Sequence, residues 1–294
     1  MGTHMTKKPR GKSSAFMSLG HVALAGFAVM VVLPMLWAFV SSFKNNTEIF
    51  DNAFTWPAKF RWSNWVDAWE TAHIGTYFFN TVIVVFFGVA GTMLLGSMAA
   101  YVLSRYDFVG NKVIYYTIIG GLGFPVFLGF GPLFKLVQMT KDIPFIGPLL
   151  GLNSYVSLVL VYIAYSLPFT VFFLSAFFRT LPTSVAEAAM IDGCSHTRLF
   201  FRVMLPMAKP GLVGITIFNI IGQWNQYMFP TLLISDPDKW QLTQGIARIS
   251  TTAGYEAKWG PLFAGICMAI IPMILMYAFF QRQIQSGLTQ GAVK

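Results

Sequence analysis

The chain reads as an all-α, polytopic membrane protein with six transmembrane helices, and three observations carry that reading. Apolar residues make up 55% of the 294 and charged residues 11%, with 29 Phe, a balance far from that of a water-facing domain. Six predominantly apolar runs follow one another at 19–41, 77–101, 113–134, 155–178, 211–234 and 261–281. Each reaches the length, about 20 residues, that a helix rising about 1.5 Å per residue needs to cross about 30 Å of hydrocarbon. The runs are also continuous, whereas a barrel strand needs about ten residues of alternating polarity.

Ahead of the first run lies a basic leader, residues 1–18, with Lys7, Lys8, Arg10 and Lys12. Residues 1–4, before Met5, read as a cloning remnant. The first run is longer than a signal-peptide core and reads as a retained signal anchor, so residues 19–294 form one six-helix transmembrane domain. Six crossings put both termini on one side, and the positive-inside rule assigns that side. With the termini inside, interior segments hold 12 Lys/Arg and exterior loops 8, while acidic residues split 3 inside and 8 outside. Both termini are expected in the cytosol. The formal net charge of +9 follows from this topology and from a basic leader facing anionic membrane lipid, so no nucleic-acid partner is expected. Gly11-Lys12-Ser13 imitates the end of a phosphate loop, but Thr6 stands where that loop needs its first glycine and no strand precedes it.

The first exterior segment, 43–76, carries Trp56, Trp62, Trp65 and Trp69 beside Pro57. Trp favours the headgroup zone; the same rings also suit a docking surface for an external protein, and the sequence leaves both readings open. The third run holds Gly120, Gly121, Gly123, Pro125, Gly129, Gly131 and Pro132, which predicts an interrupted or closely packed helix. Irregular backbone at that depth needs shielding by protein or a wet cavity. Gly96 and Ala100 have the small-xxx-small spacing of a packed helix pair. Cys194, in a cytosolic loop, and Cys267, in the last run, have no metal-ligating neighbours in sequence, so neither a disulfide nor a metal site is expected.

Between the fourth and fifth runs the chain turns polar. Pro182 ends the preceding run, Ser184 is placed to cap a short helix, and Glu187 is placed to return the bond in a capping box. Gly193 suits the left-handed residue that closes such a helix, and Pro206 marks the turn before the next run. On local chemistry alone Glu187 only caps and Gly193 only turns. The spacing carries more. Glu187-Ala188-Ala189, Gly193 six residues after Glu187, and Val203-x-Leu205-Pro206 ten residues beyond resemble the EAA loop of permeases of binding-protein-dependent ABC importers. The resemblance continues in Trp224-Asn225-Gln226-Tyr227 and in the tail from Gln281-Arg282 through Gly287-Leu288-Thr289-Gln290-Gly291-Ala292-Val293-Lys294. Together these are similar to the carbohydrate branch, in particular the smaller six-span partner of maltose-type importers. The likeness covers essentially the whole chain after the leader; Val203 stands where the family usually has Ile, which keeps an apolar contact.

The resemblance implies a type I ABC importer permease fold in the cytoplasmic membrane of a bacterium or archaeon, with a coupling loop at about 182–206. It implies a partner set: a second permease subunit forming a heterodimer, two ATPase subunits that bind ATP and Mg, an extracytoplasmic sugar-binding protein, and a sugar. This chain is itself expected to hold no cofactor, metal or catalytic group. Ser184, Glu187, Ala188, Ala189, Asp192, Gly193, Leu205 and Pro206 are the residues expected at the ATPase. The short helix would sit in a cleft of the ATPase, held at a fixed angle by Gly193, and move when ATP closes the ATPase dimer.

A sugar needs polar groups for its hydroxyls and aromatic faces for its C–H surfaces. Asn219, Gln223 and Gln226 recur at i, i+4 and i+7, which predicts one face of the fifth helix. Asn80 on the second helix, with Trp224 and Tyr227, completes the candidate substrate pathway. The competing reading makes the amides interhelical glue and the aromatics core, and the resemblance itself implies that most direct sugar contacts come from the other permease. The polar exterior segment 235–260, opening Asp236-Pro237-Asp238-Lys239-Trp240, is expected from the resemblance to reach into the binding protein; the plain alternative is a solvated connection. An ion-coupled secondary carrier, the alternative function, would place Asp, Glu, His or Lys within the spans, and the runs are almost free of them, with His21 at an interface. An intramembrane enzyme would need a nucleophile–base or metal constellation, yet His73 and His196 fall in loops on opposite sides.

Overall fold

The computed structural model describes residues 12–256 and 258–292, with side chains over 17–252, 258–281 and 283. Lys7, Lys8 and Arg10 of the leader, and the side chains of Arg282 and of the tail motif 287–294, lie outside the described residues. In chain order the main helices are α1 (Lys12–Ser41), α2 (Ile74–Arg105), α3 (Asn111–Gly120), α4 (Phe130–Met139), α5 (Tyr155–Thr180), α6 (Thr183–Ile191), α7 (Lys209–Trp224), α8 (Met228–Leu233), α9 (Leu242–Glu256) and α10 (Trp259–Ala292). Among the described residues, α1, α2, α5 and α10 are long and apolar enough to cross a membrane unbroken, and two bent helix pairs bring the count to as many as six if each pair is one span.

The structure departs from six straight crossings in the third and fifth runs, and the second bent pair, 196–207 with 209–224 at 79°, lies at the entry to the fifth. In the third run, 111–123 and 126–142 meet at 100°. Pro125 supplies no N–H and holds Phe124 in an extended conformation (φ −78°, ψ 124°), so the helix must stop and restart. The fifth run was expected as one helix over 211–234. Instead α7 ends at Trp224, and its 16 residues measure about 24 Å; α8 resumes only after Asn225, Gln226 and Tyr227. Asn225 gives both its backbone N–H (3.2 Å) and its side-chain amide (2.8 Å) to the Ile221 carbonyl, and the Gln226 N–H falls back on Gln223 in a tighter turn. Such local bonding by an Asn side chain competes with helix continuation.

The central pair is α2 against α5, and α7 packs across both and onto α10. A Cβ at Gly96 would lie 2.6 Å from Thr170 Cγ2, so the backbones approach as they do only because no side chain stands there. One turn on, Ala100 is fully buried and its carbonyl accepts from Ser175 Oγ at 3.4 Å. Lipid tails are as apolar as Leu, so close packing and interhelical hydrogen bonds of this kind hold the pair together. By contrast α1 leans on α10 near its C-terminal end, where Trp37 meets Phe263 edge-on at 5.1 Å, and most of its length is exposed.

Segments 43–76 and 235–256 are folded, and neither is an open loop. Phe43 packs against Trp62 and Trp65, with ring centroids 4.9 and 5.7 Å away. Lys44 is wholly buried and gives its ammonium to the carbonyls of Asn52 and Ala53 at 3.0 and 2.9 Å. Asn64 ties the same knot through the carbonyls of Ser42 and Lys44. Segment 235–256 contains α9, docked onto α2 through buried Leu242, Gln244 and Gly245, with the Leu242 N–H donating to Thr81 Oγ1 at 2.8 Å. A merely solvated connection is therefore not what residues 235–256 form.

Candidate functional site

The segment between α5 and α7 builds an elbow. Arg105, at the end of α2, donates to the Leu181 carbonyl beyond the last turn of α5. Pro182 (φ −61°, ψ 130°) then starts α6 directly at Thr183. The capping box expected from Ser184 and Glu187 does not form: Ser184 is already inside the helix and no side chain caps it. The reason is Pro182, whose fixed φ starts the helix one residue earlier than Ser184 could cap it. Glu187 is thereby released to solvent.

α6 has two distinct faces. Ala186 and Ala189 pack against a core cluster that includes Tyr101, Phe178, Leu199, Phe200 and Met204. On the other side Ser184, Glu187, Ala188 and Ile191 are exposed, Ile191 to 86%. Gly193 closes the helix at φ +77°. Its N–H bonds the Met190 carbonyl, and the Cys194 N–H reaches back to Ala189, both at 3.0 Å. Those two bonds and the apolar Cys194–Ala189 side constitute a Schellman closure. Asp192 and Gly193 are exposed beside it. Beyond, Ser195 caps a short helix over His196–Leu199, and Phe200–Met204 adopt a wider π-helical turn, an irregularity common at functional positions. Leu205 packs on the core cluster and Pro206 is exposed. A second strut, Tyr106 hydroxyl to His196 Nδ1 at 2.9 Å, ties the elbow to the end of α2. Neither strut nor the π-helical turn has a signal in the sequence pattern, because both join residues distant in sequence or depend on packing.

The polar residues of α7 are otherwise engaged than as an open wall. Asn219 donates to Thr170 Oγ1 at 2.9 Å and faces Met93 Sδ at 3.5 Å; Gln223 donates to Ser166 Oγ at 3.1 Å and Thr92 Oγ1 at 3.4 Å. Both are buried between α2, α5 and α7. Trp224 is also buried and gives its indole N–H to the Ala269 carbonyl of α10 at 3.2 Å. Asn80 does not join them: its amide donates to the carbonyls of Asp238 and Trp240 at 3.0 and 2.9 Å. The predicted face of three amides is corrected to two, since Gln226 falls beyond the end of α7. Gln226 is half-buried and Tyr227 is 41% exposed on the unwound segment.

Residues 92–288 match the family described as "Binding-protein-dependent transport system inner membrane component". The chain belongs to this family. The permease is 45% identical over 279 residues to the diacetylchitobiose uptake system permease protein NgcG of Streptomyces coelicolor, covering 95% of this chain and 89% of that one. It is 31% identical over 269 residues to the trehalose/maltose transport system permease protein MalG of Thermococcus litoralis, covering 91% and 93%. Its fold superposes with a TM-score of 0.78 on a chain from the crystal structure of a bacterial ABC transporter involved in the import of the acidic polysaccharide alginate, at 22% identity and over 94% of this chain and 99% of that one. The permease is a transmembrane transport subunit and not an enzyme, and its relatives support an ABC importer rather than an ion-coupled carrier.

Proposed function

We propose that this permease forms one half of the translocation pathway of an ATP-driven oligosaccharide importer and takes its drive through α6. The observation that carries the proposal is the two-faced construction of α6: one side is fixed to the core that unites the ends of α2, α5 and α7, and the other presents Ser184, Glu187, Ala188 and Ile191 bare. A helix held this way moves as a body with whatever grips its outer face. The partners are a second permease subunit, two ATPase subunits that carry ATP and Mg, and an extracytoplasmic binding protein. Both termini and the elbow face the cytosol, in keeping with the charge asymmetry of the loops. Asn219, Gln223 and Trp224 hold the pathway's walls, and Gln226 and Tyr227, on backbone unwound between α7 and α8, face the solute. The relative named for diacetylchitobiose makes N-acetylated disaccharides the first substrate class.

The test is to purify the tagged chain from native membranes, identify what co-elutes, and assay ATPase stimulation by diacetylchitobiose, maltose and trehalose in the presence of the binding protein. Two copies of an ATPase and stimulation by one of these sugars are expected. Sugar uptake by an assembly with no nucleotide-hydrolysing subunit would overturn the proposal.

A further inference from the structure

At the N-terminal end of α2, remote from the elbow, lies a polar cavity of about 740 Å³. The 32 residues of α2 separate the two by about 48 Å, so they belong to opposite membrane faces. The cavity's walls come from residues 67–77, from Pro237 and Asp238, from α9, and from Lys258 and Pro261 at the start of α10. Asp67, His73, Thr76, Tyr77, Asp238 and Arg248 supply its chemistry: two carboxylates, a guanidinium, an imidazole and two hydroxyls around one space.

Asp67, His73, Thr76 and Asp238 are exposed, and their side chains make no hydrogen bond or ion pair among the described residues, so water is what a ligand would displace from them. Two features set the cavity apart from an ordinary wet crevice. The walls are fixed: the Asn80 amide holds the Asp238 and Trp240 carbonyls, the ring of Tyr77 is wedged against the backbone of Gly245, and the Arg248 guanidinium lies 5.0 Å over Trp240, which limits its swing and leaves its donors to the cavity. The backbone at the rim is also irregular, with His73 at φ +58° and a π-helical turn over Asp67–Thr71. Such conformations cost free energy and gather at functional positions.

The lining selects the ligand class. Asp67 and Asp238 stand with Arg248 in one lining, so a ligand of either charge would meet a like charge there as well as an opposite one. A hydroxyl both donates and accepts, and a space lined by interleaved carboxylate, guanidinium and hydroxyl groups suits many of them at once. The volume falls in the range of about 300–1,000 Å³ of small-ligand sites. We propose that this cavity is a low-affinity site for a neutral di- or oligosaccharide, with Asp238, Arg248 and His73 as its principal partners, where sugar leaving the binding protein is held before it enters the spans. The proposal rests on the sugar-import reading above.

The test uses the full chain in lipid nanodiscs without binding protein, with saturation-transfer NMR of diacetylchitobiose, maltose and trehalose, beside uptake of the same sugars by the complete importer in proteoliposomes. The sugar that the importer takes up should give a signal, and the double variant Asp238→Asn/Arg248→Gln, eluting as the parent does, should lower it at least tenfold. Uptake with no signal from the isolated chain, or a signal unchanged in the double variant, overturns the site and leaves the importer reading standing. So does a double variant whose only defect is weaker association with the binding protein, which would make the cavity a protein-docking face. Uptake of none of the sugars counts against the importer reading, and the site falls with it. If the double variant fails to elute as the parent, Thr252→Trp, which fills the cavity from the half-buried α9 wall, takes its place with the same expected loss of signal.

Discussion

Gly193 shows how one residue sets the geometry of the elbow. A Cβ there would meet nothing within 4 Å, yet φ is +77°, so the demand for glycine is conformational and not steric. A side chain in the left-handed region costs about 1–2 kcal/mol, less for Asn and more for a β-branched residue. Gly193→Val is therefore expected to leave insertion and assembly intact while uptake falls at least tenfold and ATPase activity persists; Gly193→Asn should retain most uptake. Paired uptake and ATPase assays in proteoliposomes decide it, and equal uptake by the Val variant would show that the angle of α6 does not matter. Gln223 teaches a different lesson. Its amide nitrogen is used twice, but its carbonyl oxygen is buried without a partner and lies against the backbone of α2 at Gly88. A buried acceptor left without any partner would cost about 1–3 kcal/mol, which makes the junction of α2, α5 and α7 around Gln223 sensitive to which groups reach that oxygen.

At the scale of elements, two short stretches with the same Asx/Ser-x-x-Glu signature fold differently. Asn45 and Glu48 form a complete capping box, with the Glu48 N–H to Asn45 Oδ1 at 2.7 Å and the Asn45 N–H to Glu48 Oε2 at 3.0 Å; Ser184 and Glu187 form none. What differs is the residue ahead: Pro182 commits the chain to helix before Ser184 can cap. The Asn45 backbone N–H, then that of Ala58 and the nearby Arg61 and Lys44, hold the Glu48 carboxyl below its ordinary 4.5 against a smaller rise from burial. A depressed folded-state pKa stabilises above the unfolded value and loses that effect as pH falls through the folded one. Amides of residues 45–58 should accordingly exchange faster as pH drops below 4.5, after correction for intrinsic rates, and Glu48→Gln should remove that dependence; an unchanged pH profile in the Gln variant would mean that another group is responsible. The long apolar helices were legible because a bilayer enforces about 20 apolar residues per crossing. The break at Pro125 was legible as chemistry but not as a 100° bend, and the end of α7 at Trp224 was not legible at all, because Asn225 reads equally as span or cap. Of the candidate site, α6 and Gly193 were legible through spacing. The engagement of Asn80 with the 238–240 backbone was not, since it joins residues 158 and 160 apart in the chain.

At the scale of the whole molecule, α2 is the member that touches both ends: its first residues line the outer cavity and its last, Arg105, holds the elbow. The core cluster then joins α2, α5, the elbow and the start of α7 in one packed body. Packed interiors switch between discrete arrangements more readily than they deform, so a push on α6 is expected to reorient the helices together and not to dissipate in the loop. That account requires α6 in the cytosol and the 235–256 segment outside. In a background with Cys194→Ser and Cys267→Ser, a thiol placed at Ser184 or at Thr251, both exposed positions, reports the side directly. A membrane-impermeant maleimide on intact cells with a permeabilised outer envelope should label Thr251→Cys and spare Ser184→Cys, and inverted vesicles should reverse the pattern. Vesicles stripped of peripheral ATPase and then reconstituted with it distinguish coupling from mere sidedness. Labelling of Ser184→Cys should fall several-fold when the ATPase is restored, because the bare face of α6 is then covered, while a thiol at Thr251 should label at the same rate throughout. Equal labelling of Ser184→Cys with and without the ATPase would place the grip somewhere other than α6, whatever the orientation proved to be.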